Sequence, residues 1–273
     1  MKLKTIVITG ASDGIGAAAA QQLAADGHRL VLIGRSPDKL ATVASEVGAE
    51  AIVADFASLA QVRHVADEVL RLCPTIDVLA NNAGLISGND RIVTEDGHET
   101  TNQVNYLATF LLNHLLAERL AASRATVIMT SSMAHWGGRI DIDDMDHERS
   151  YSSFAAYSDS KLALLLHTRQ LQRNCGRHGV AAVAFHPGVV ASNFSVANGG
   201  LMGKFYTSPA KALLTTSVKG ADSLVFLAEA TPGVDFRPGG YVIKRRPAAT
   251  RACVNDIKLG EALWTNTERV LGL

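Results

Sequence analysis

Tyr157 and Lys161 are the two residues whose types and spacing most directly suggest chemistry. Four residues apart on a helix, they would share one face, with their Cβ atoms about 5–6 Å apart. A neighbouring ammonium favours the ionised form of a phenol, so it lowers a pKa that starts at about 10. Such a tyrosine could exchange a proton with a substrate near neutral pH. The same spacing is also found in helices where the ring is partly buried and the lysine solvated, so the rest of the chain must decide.

A glycine-rich segment between a predicted strand and a predicted helix indicates a phosphate-binding loop. Glycines let the backbone turn tightly, and the following helix offers free N–H groups and the positive end of its dipole to a phosphate. The spacing Gly-x-x-x-Gly-x-Gly differs from the common Gly-x-Gly-x-x-Gly, and a turn that only packs helix on strand is the alternative. The predicted loop residues are Gly10, Ser12, Asp13, Gly14, Ile15 and Gly16.

The end of the second predicted strand carries Arg35 rather than an acidic residue. An Asp or Glu there would hold the ribose 2′-hydroxyl of NAD and repel a 2′-phosphate. Arg35 could instead bind that phosphate through its planar guanidinium, and Lys39, one turn further on, could add positive charge. The two side chains predict NADP(H) as cofactor, with NAD(H) less favoured. A solvated arginine at a strand end is the alternative.

Short apolar strands and amphipathic helices alternate along the chain. Strands are predicted over residues 5–9, 29–33, 51–54, 76–80, 126–130, 180–185 and 239–243. Helices are predicted over residues 17–26, 37–47, 59–72, 97–120, 157–177, 217–228 and 258–271. This alternation predicts one α/β domain over residues 1–273, with a doubly wound parallel sheet of about seven strands. Ligands bind at the carboxyl ends of such strands, where Gly10, Arg35, Asp55 and Asn82 would meet.

Composition excludes several classes of protein. The 273 residues are 47% hydrophobic and 19% charged, which suits a large buried core. Lys plus Arg and Asp plus Glu each number 26, so no basic surface for nucleic acid is predicted. Three separated cysteines without metal-ligand spacing predict reduced thiols, no metal site and a cytoplasmic protein. No signal peptide is apparent, and no apolar run reaches about 18 residues, so no membrane contact is predicted.

Two loops lie near the predicted site. The segment between Ser132 and Tyr157 is rich in Asp and Glu but matches no calcium loop, so we predict a solvated surface insertion. The segment 193–208 contains several glycines and is predicted to be a substrate loop that could act as a lid. His135 and His186 are interpreted as structural. The predicted lining of an apolar pocket is Met133, His135, Trp136, Phe194, Met202, Phe205 and Tyr206.

Taken together, these motifs resemble the short-chain dehydrogenase/reductase superfamily, in order along nearly the whole chain. Residues 9–16 resemble its cofactor loop, 81–84 its fourth-strand motif and 187–188 its sixth-strand signature. Asn105, Ser132, Tyr157 and Lys161 match its catalytic tetrad. Ser132 and Tyr157 stand about twice as far apart as in common members, which is similar to the retinol-dehydrogenase-like branch. That branch generally prefers NADP(H), in agreement with Arg35.

The resemblance implies a Rossmann-type fold and reversible hydride transfer between NADP(H) and a carbonyl or alcohol carbon. Tyr157 would transfer the proton, with Lys161 lowering its pKa and binding the nicotinamide ribose. Ser132 would bind the substrate oxygen, and Asn105 would hold a water that links Lys161 to solvent. The other implied cofactor contacts are Asp55 and Phe56 near the adenine, Asn82, Ala83 and Gly84 near the adenosine-side ribose, and Val189 and Ser192 at the carboxamide. Pro187 and Gly188 of the sixth-strand signature are also implied to bind the cofactor.

The predicted substrate is a small apolar carbonyl or alcohol. Family analogy further implies a homodimer or homotetramer paired through long helices. A different class of function is a catalytically idle NADP(H)-binding sensor or scaffold, since a fold alone does not determine activity. The chain retains both the tyrosine and the lysine, which favours the enzyme.

Overall fold

The computed structural model describes residues 2–188 and 216–273. The strands are β1 (Thr5–Thr9), β2 (Arg29–Gly34), β3 (Glu50–Val53), β4 (Val78–Asn81), β5 (Thr126–Thr130), β6 (Ala181–His186), β7 (Tyr241–Ile243) and β8 (Arg246–Pro247). The α-helices are α1 (Gly14–Ala25), α2 (Pro37–Val47), α3 (Leu59–Leu72), α4 (Thr100–Asn102), α5 (Ala108–Leu115), α6 (Ala117–Ser123), α7 (Ser153–Cys175), α8 (Ser217–Glu229) and α9 (Ile257–Leu271).

The eight strands found in the described residues belong to one sheet in the order β3-β2-β1-β4-β5-β6-β7-β8. The pairs from β3 to β7 are parallel, and β8 alone runs antiparallel to its neighbour. The predicted doubly wound sheet is therefore confirmed. The eighth strand was not predicted, because it has two residues and depends on a turn in which Lys244 and Arg245 adopt positive φ angles of 49° and 61°.

The core lies on both faces of the sheet, because alternate residues of each strand point to opposite sides. Val7 of β1 contributes to the side covered by α3, α5, α7 and α9, whereas Ile6 and Ile8 contribute to the side covered by α1, α2 and α8. All three side chains are fully buried. Burial on both faces explains why the strands read as continuous apolar runs.

The predicted helix over residues 97–120 is wrong in one respect that matters for the site. It is divided into α4, a π-helical turn at Gln103–Leu107, α5 and α6. In the π-helical turn the N–H of Ala108 donates to the carbonyl of Gln103, five residues back. Such turns occur frequently at functional sites, and this one is centred on Asn105.

The acidic insertion before α7 is docked onto the protein at Asp146, which corrects the prediction of a purely solvated loop. The Asp146 carboxylate accepts hydrogen bonds from the Glu99 backbone N–H (3.0 Å) and from Asn102 Nδ2 (2.9 Å). It also lies 2.8 Å from His98 Nδ1. The sequence showed the negative charges of the insertion but not the partners that α4 would bring to them.

None of the helices in residues 2–188 and 216–273 combines the length and apolar character required to cross a bilayer.

Candidate active site

A cavity of about 820 Å³ opens at the carboxyl ends of the parallel strands. Its lining includes most of the predicted site residues that fall in the described ranges. These are Gly10, Ser12, Asp13, Gly14, Ile15, Arg35, Lys39, Asp55, Phe56, Asn82, Ala83, Gly84, Ser132, Tyr157, Lys161, Pro187 and Gly188. Gly16 and Asn105 lie behind this surface and do not line it. Val189, Ser192 and the segment 193–208 fall outside the described residues.

The glycine loop between β1 and α1 approaches the rest of the site closely. Gly10 has φ +67°, and a Cβ atom on it would lie 2.8 Å from Ala83 Cα. A Cβ atom on Gly16 would overlap the Gly10 carbonyl oxygen, and Gly16 itself is buried. Gly16 thus lets α1 pack against the loop, while the residues before it present their backbone to the cavity.

Three charged side chains, Asp13, Arg35 and Lys39, form what we call the charged rim of the cavity. Asp13 caps α1, accepting the Gly14 N–H at 2.7 Å. Its other carboxylate oxygen lies 2.8 Å from Lys39 Nζ, in an ion pair whose members are both about half exposed. Lys39, predicted to face a phosphate, is therefore paired with an acid. Arg35 is exposed and has no ion pair with the residues that the structure describes.

Asn82 ties together the ends of three strands. Its Nδ2 donates to the carbonyls of Thr9 (3.1 Å) and Gly10 (3.3 Å), and its Oδ1 accepts from Thr130 Oγ1 (3.4 Å). The backbone N–H groups of Asn82 and Ala83 both donate to Thr9 Oγ1 at 3.0 Å. The amide of Asn82 thus holds the glycine loop in place, a role that its sequence motif did not reveal.

Asp55 and Phe56, the two residues predicted to lie near an adenine, follow β3 and both line the cavity. The Phe56 ring is buried in the core beneath α3, with 5% of its surface exposed. Asp55 uses one carboxylate oxygen to accept the Ala57 N–H at 2.9 Å, in a turn typical of aspartate. The carboxylate of Asp55 therefore remains the better candidate for contact with an adenine.

Ser132, Tyr157 and Lys161 line the opposite part of the cavity, which we call the tyrosine end. Lys161 is 3% exposed, and its Nζ donates to the Thr130 carbonyl at 2.9 Å. Burial lowers the pKa of Lys161 to about 7. The Nζ atom lies 5.5 Å from the centroid of the Tyr157 ring. The predicted pairing of the two side chains on one face of α7 is therefore present.

Ser132 begins the 3₁₀ turn Met133–Gly137, where its Oγ accepts the Ala134 N–H at 3.2 Å. This bond orients the hydroxyl at the carboxyl end of β5. His135, in the same turn, is fully buried and bonds to the Ser132 carbonyl at 2.7 Å. Burial lowers the pKa of His135, so the ring remains neutral and supports the turn.

Asn105 is fully buried and binds two parts of the site to each other. Its Oδ1 accepts the Leu85 N–H (2.7 Å), while its Nδ2 donates to the Leu85 carbonyl (2.9 Å) and to Ser160 Oγ (2.9 Å). Ser160 in turn donates to the Tyr157 carbonyl at 2.8 Å. The amide thus connects the segment after β4 with α7, close to Lys161.

Apolar side chains line the cavity beside the tyrosine end, and sequence reasoning found only Met133 among them. The others are Leu85, Ile86, Ile92, Val104 and Phe154. Phe154 could have been found, because it precedes Tyr157 by three residues and shares its helix face. Trp136 does not line the cavity. His186 does, and burial lowers its pKa to about 4, so it is neutral.

Comparison with known proteins decides the family. The family model described as short chain dehydrogenase matches residues 4–199. The chain belongs to this family. The glycine loop and the tyrosine end of this short-chain dehydrogenase both fall within the matched residues.

Individual relatives support the same assignment over the full length. A Streptomyces sp. (strain C5) protein provisionally named daunorubicin C-13 ketoreductase is 40% identical, covering 98% of this chain and 93% of its own. Human retinol dehydrogenase 13 is 34% identical, covering 99% and 85%. The resemblance to retinol dehydrogenases is thus confirmed. A Burkholderia cenocepacia short-chain dehydrogenase solved with NADP is 26% identical, with a TM-score of 0.70 over 88% of this short-chain dehydrogenase and 95% of that chain.

Proposed function

We propose that this oxidoreductase transfers a hydride between NADP(H) and the carbonyl or alcohol carbon of an apolar substrate. The observation that carries the proposal is the placement of Ser132, Tyr157 and Lys161 in the same cavity as the glycine loop. A proton donor, a hydroxyl and a buried cation then lie beside a loop suited to a dinucleotide pyrophosphate.

The residues present fit a dinucleotide. The glycine loop has no room for side chains at Gly10 and Gly16, so its backbone N–H groups and the start of α1 can approach a pyrophosphate. Arg35 at the charged rim offers a guanidinium to a 2′-phosphate. A solved relative with NADP bound has the same fold. The bound cofactor supplies the hydride chemistry, and the protein supplies position and polarity.

In the proposed reaction Tyr157 gives a proton to the substrate oxygen, or takes it in the reverse direction. Ser132 donates a hydrogen bond to the same oxygen while negative charge develops there. Lys161, when protonated, favours the ionised form of the Tyr157 phenol. Because burial places the pKa of Lys161 at about 7, its charge changes within the pH range in which the enzyme would act.

We assign Asn105 a positioning role. Both hydrogens of its Nδ2 are engaged, by the Leu85 carbonyl and Ser160 Oγ, and its Oδ1 accepts the Leu85 N–H with one lone pair left over. By fixing Leu85 and Ser160, the amide holds the segment after β4 against the helix that carries Tyr157. The π-helical turn around Asn105 aims the side chain at these partners.

The part of the cavity beside the tyrosine end favours an apolar substrate. Ile86, Val104, Met133 and Phe154 offer no charge to a ligand. The names of the relatives, a ketoreductase and a retinol dehydrogenase, both describe chemistry at a carbonyl or alcohol carbon. We therefore expect hydrophobic ketones, aldehydes or their alcohols as substrates.

The test is NADPH oxidation against a panel of apolar aldehydes and ketones, with Tyr157→Phe beside the wild type. We expect turnover to fall about 10³-fold because the proton donor is lost, while the Kd for NADPH is unchanged. Tyr106→Phe is the matched control, because Tyr106 is a buried tyrosine bonded to Thr267 (2.8 Å) and does not line the cavity.

Two outcomes would overturn the proposal. Full activity in Tyr157→Phe would remove the tyrosine from the chemistry. Tight NADPH binding by the wild type without turnover of any member of the panel would support a cofactor-binding sensor instead.

A further inference from the structure

The charged rim contains one acid, Asp13, which the sequence predicts only as part of the glycine loop. Asp13 lies in the glycine loop, yet its carboxylate reaches Lys39 of α2 at 2.8 Å. The acid is absent from the end of β2, where it would mark an NAD-binding site. It nevertheless reaches the same rim from a neighbouring element, beside Arg35.

The ion pair changes the charge available to a 2′-phosphate. Arg35 and Lys39 together would present two positive charges, but Asp13 cancels one of them. Both members of the pair are about half exposed, and pairs of this kind are weak. Asp13 therefore does not lock Lys39 in place; it competes with a phosphate for the same ammonium.

The close packing of the loop keeps Asp13 in this position. Its Oδ1 caps α1 through the Gly14 N–H at 2.7 Å. Ser12 packs so tightly against β2 that a Cβ atom on Gly34 would overlap Ser12 Oγ. The loop is thereby held against the strand that ends at Arg35, and the carboxylate cannot move far from the rim.

We propose that Asp13 determines how strongly the protein distinguishes NADP(H) from NAD(H), by neutralising Lys39. This inference rests on the proposed use of a nicotinamide dinucleotide. Of the two cations that the described residues place at the charged rim, only Arg35 would then offer uncompensated positive charge to the 2′-phosphate in the wild type. Removal of the Asp13 charge frees Lys39 and raises the preference for the 2′-phosphorylated cofactor.

Asp13→Asn and Asp13→Ser test the proposal, since Asn and Ser retain a helix-capping oxygen but carry no charge. The probes are adenosine 2′,5′-bisphosphate and adenosine 5′-monophosphate, which differ only in the 2′-phosphate. Calorimetric titration should show the Kd for the bisphosphate falling about three- to tenfold in both variants. The Kd for the monophosphate should change less than that for the bisphosphate, because the monophosphate lacks the phosphate that Lys39 would bind, and the melting temperature should stay that of the wild type.

Repeating the Asp13→Asn change in a Lys39→Met background separates the pairing from other effects. The gain in bisphosphate affinity should shrink, because no lysine remains to be freed. An equal gain in both backgrounds would overturn the role of Lys39. An unchanged bisphosphate Kd, or weaker binding of the monophosphate, would overturn the proposal for Asp13.

The experiment tests the role of Asp13 separately from the proposed preference for NADP(H). If the wild type binds the two probes equally, the preference for NADP(H) is wrong for this protein. The effect of Asp13 is still measured, because it is read from the difference between the wild type and the variant.

Discussion

The charged rim and the tyrosine end use similar charged residues in opposite environments. At the rim, Asp13 and Lys39 are about half exposed and pair with each other across two elements. At the tyrosine end, Lys161 is 3% exposed, and the Asn105 amide behind it is fully buried. Each is held by hydrogen bonds to the backbone. Solvent screens the first group, whereas the second acts in a medium of low polarity. Changes at the tyrosine end should therefore have much larger effects.

After Tyr157→Phe, the largest effect is expected for Lys161→Met. Turnover should fall about 10²–10³-fold, because the buried cation beside Tyr157 is lost. The variant should nevertheless be more stable than the wild type near neutral pH, by about 2 kcal/mol in free energy of unfolding. This is the gain from removing a buried ammonium, less the cost of leaving the Thr130 carbonyl without its donor.

The stability gain of Lys161→Met should depend on pH. The unfolded chain protonates Lys161 below its usual pKa of 10.5, whereas the folded protein does so only below about 7. Between these values the unfolded state holds more protons, so the free energy of unfolding of the wild type rises with pH. Below about pH 7 the folded protein carries the full cost of burying the protonated Lys161 ammonium. The stability advantage of Lys161→Met, measured by thermal melting without cofactor, should shrink steadily as the pH is raised.

Lys258→Met is the matched control, since Lys258 is an exposed lysine on α9. It should change neither turnover nor the pH profile of stability. If Lys161→Met were destabilising by the same amount at every pH, the contrast between the two ends of the cavity would be wrong.

The residues that could be predicted from the sequence are those whose local spacing carries the signal. Tyr157 and Lys161 are one helical turn apart, and the glycine loop is a continuous segment between strand and helix. The parallel sheet followed from the alternation of its elements. Each of these signals is local in the sequence, even though the sheet itself pairs strands that are distant in the chain.

The remaining features depend on long-range contacts that no local pattern encodes. Asn82 binds Thr9 and Gly10, more than seventy residues earlier in the chain. Lys39 of α2 pairs with Asp13 of the glycine loop. The π-helical turn at Asn105 reads as ordinary helix, because its side chains keep the same apolar pattern. Tertiary packing decided each of these.

An intermediate effect is expected for Asp146→Asn, which weakens the docking of the insertion between Ser132 and Tyr157. The variant keeps one acceptor oxygen for Glu99 and Asn102 but loses the charge that faces His98. Unfolding should become easier by about 1–2 kcal/mol. Urea denaturation measures this, with Asp143→Asn as control, because Asp143 is an exposed acid of the same insertion.

The stability of Asp146→Asn relative to the wild type should also depend on pH. The sign is opposite to that for Lys161→Met, because here the wild type is the more stable protein and loses its advantage as the pH rises. The hydrogen bond to Asp146 raises the pKa of His98 above its usual 6.5. Protonation of His98 therefore stabilises the folded protein fully below pH 6.5, and this contribution is lost as the pH rises through the folded pKa. The difference between wild type and variant should be greatest at about pH 6 and smaller at about pH 8. A pH-independent difference would mean that His98 is not the partner that matters.

The smallest effect is expected at the charged rim, for Arg35→Ala. Loss of one exposed guanidinium should raise the Kd for NADPH about tenfold and leave the Kd for NADH nearly unchanged, because only NADPH carries the 2′-phosphate. Fluorescence titration of both cofactors measures this, with Arg71→Ala as control, since Arg71 is an exposed arginine paired with Glu68 on α3. The difference between the two cofactors should diminish at high salt, because the interaction is exposed to solvent. An equal rise in Kd for NADPH and NADH would instead mean that Arg35 supports the shape of the rim. The contrast between screened charges at the rim and buried charges at the tyrosine end would then not apply to Arg35.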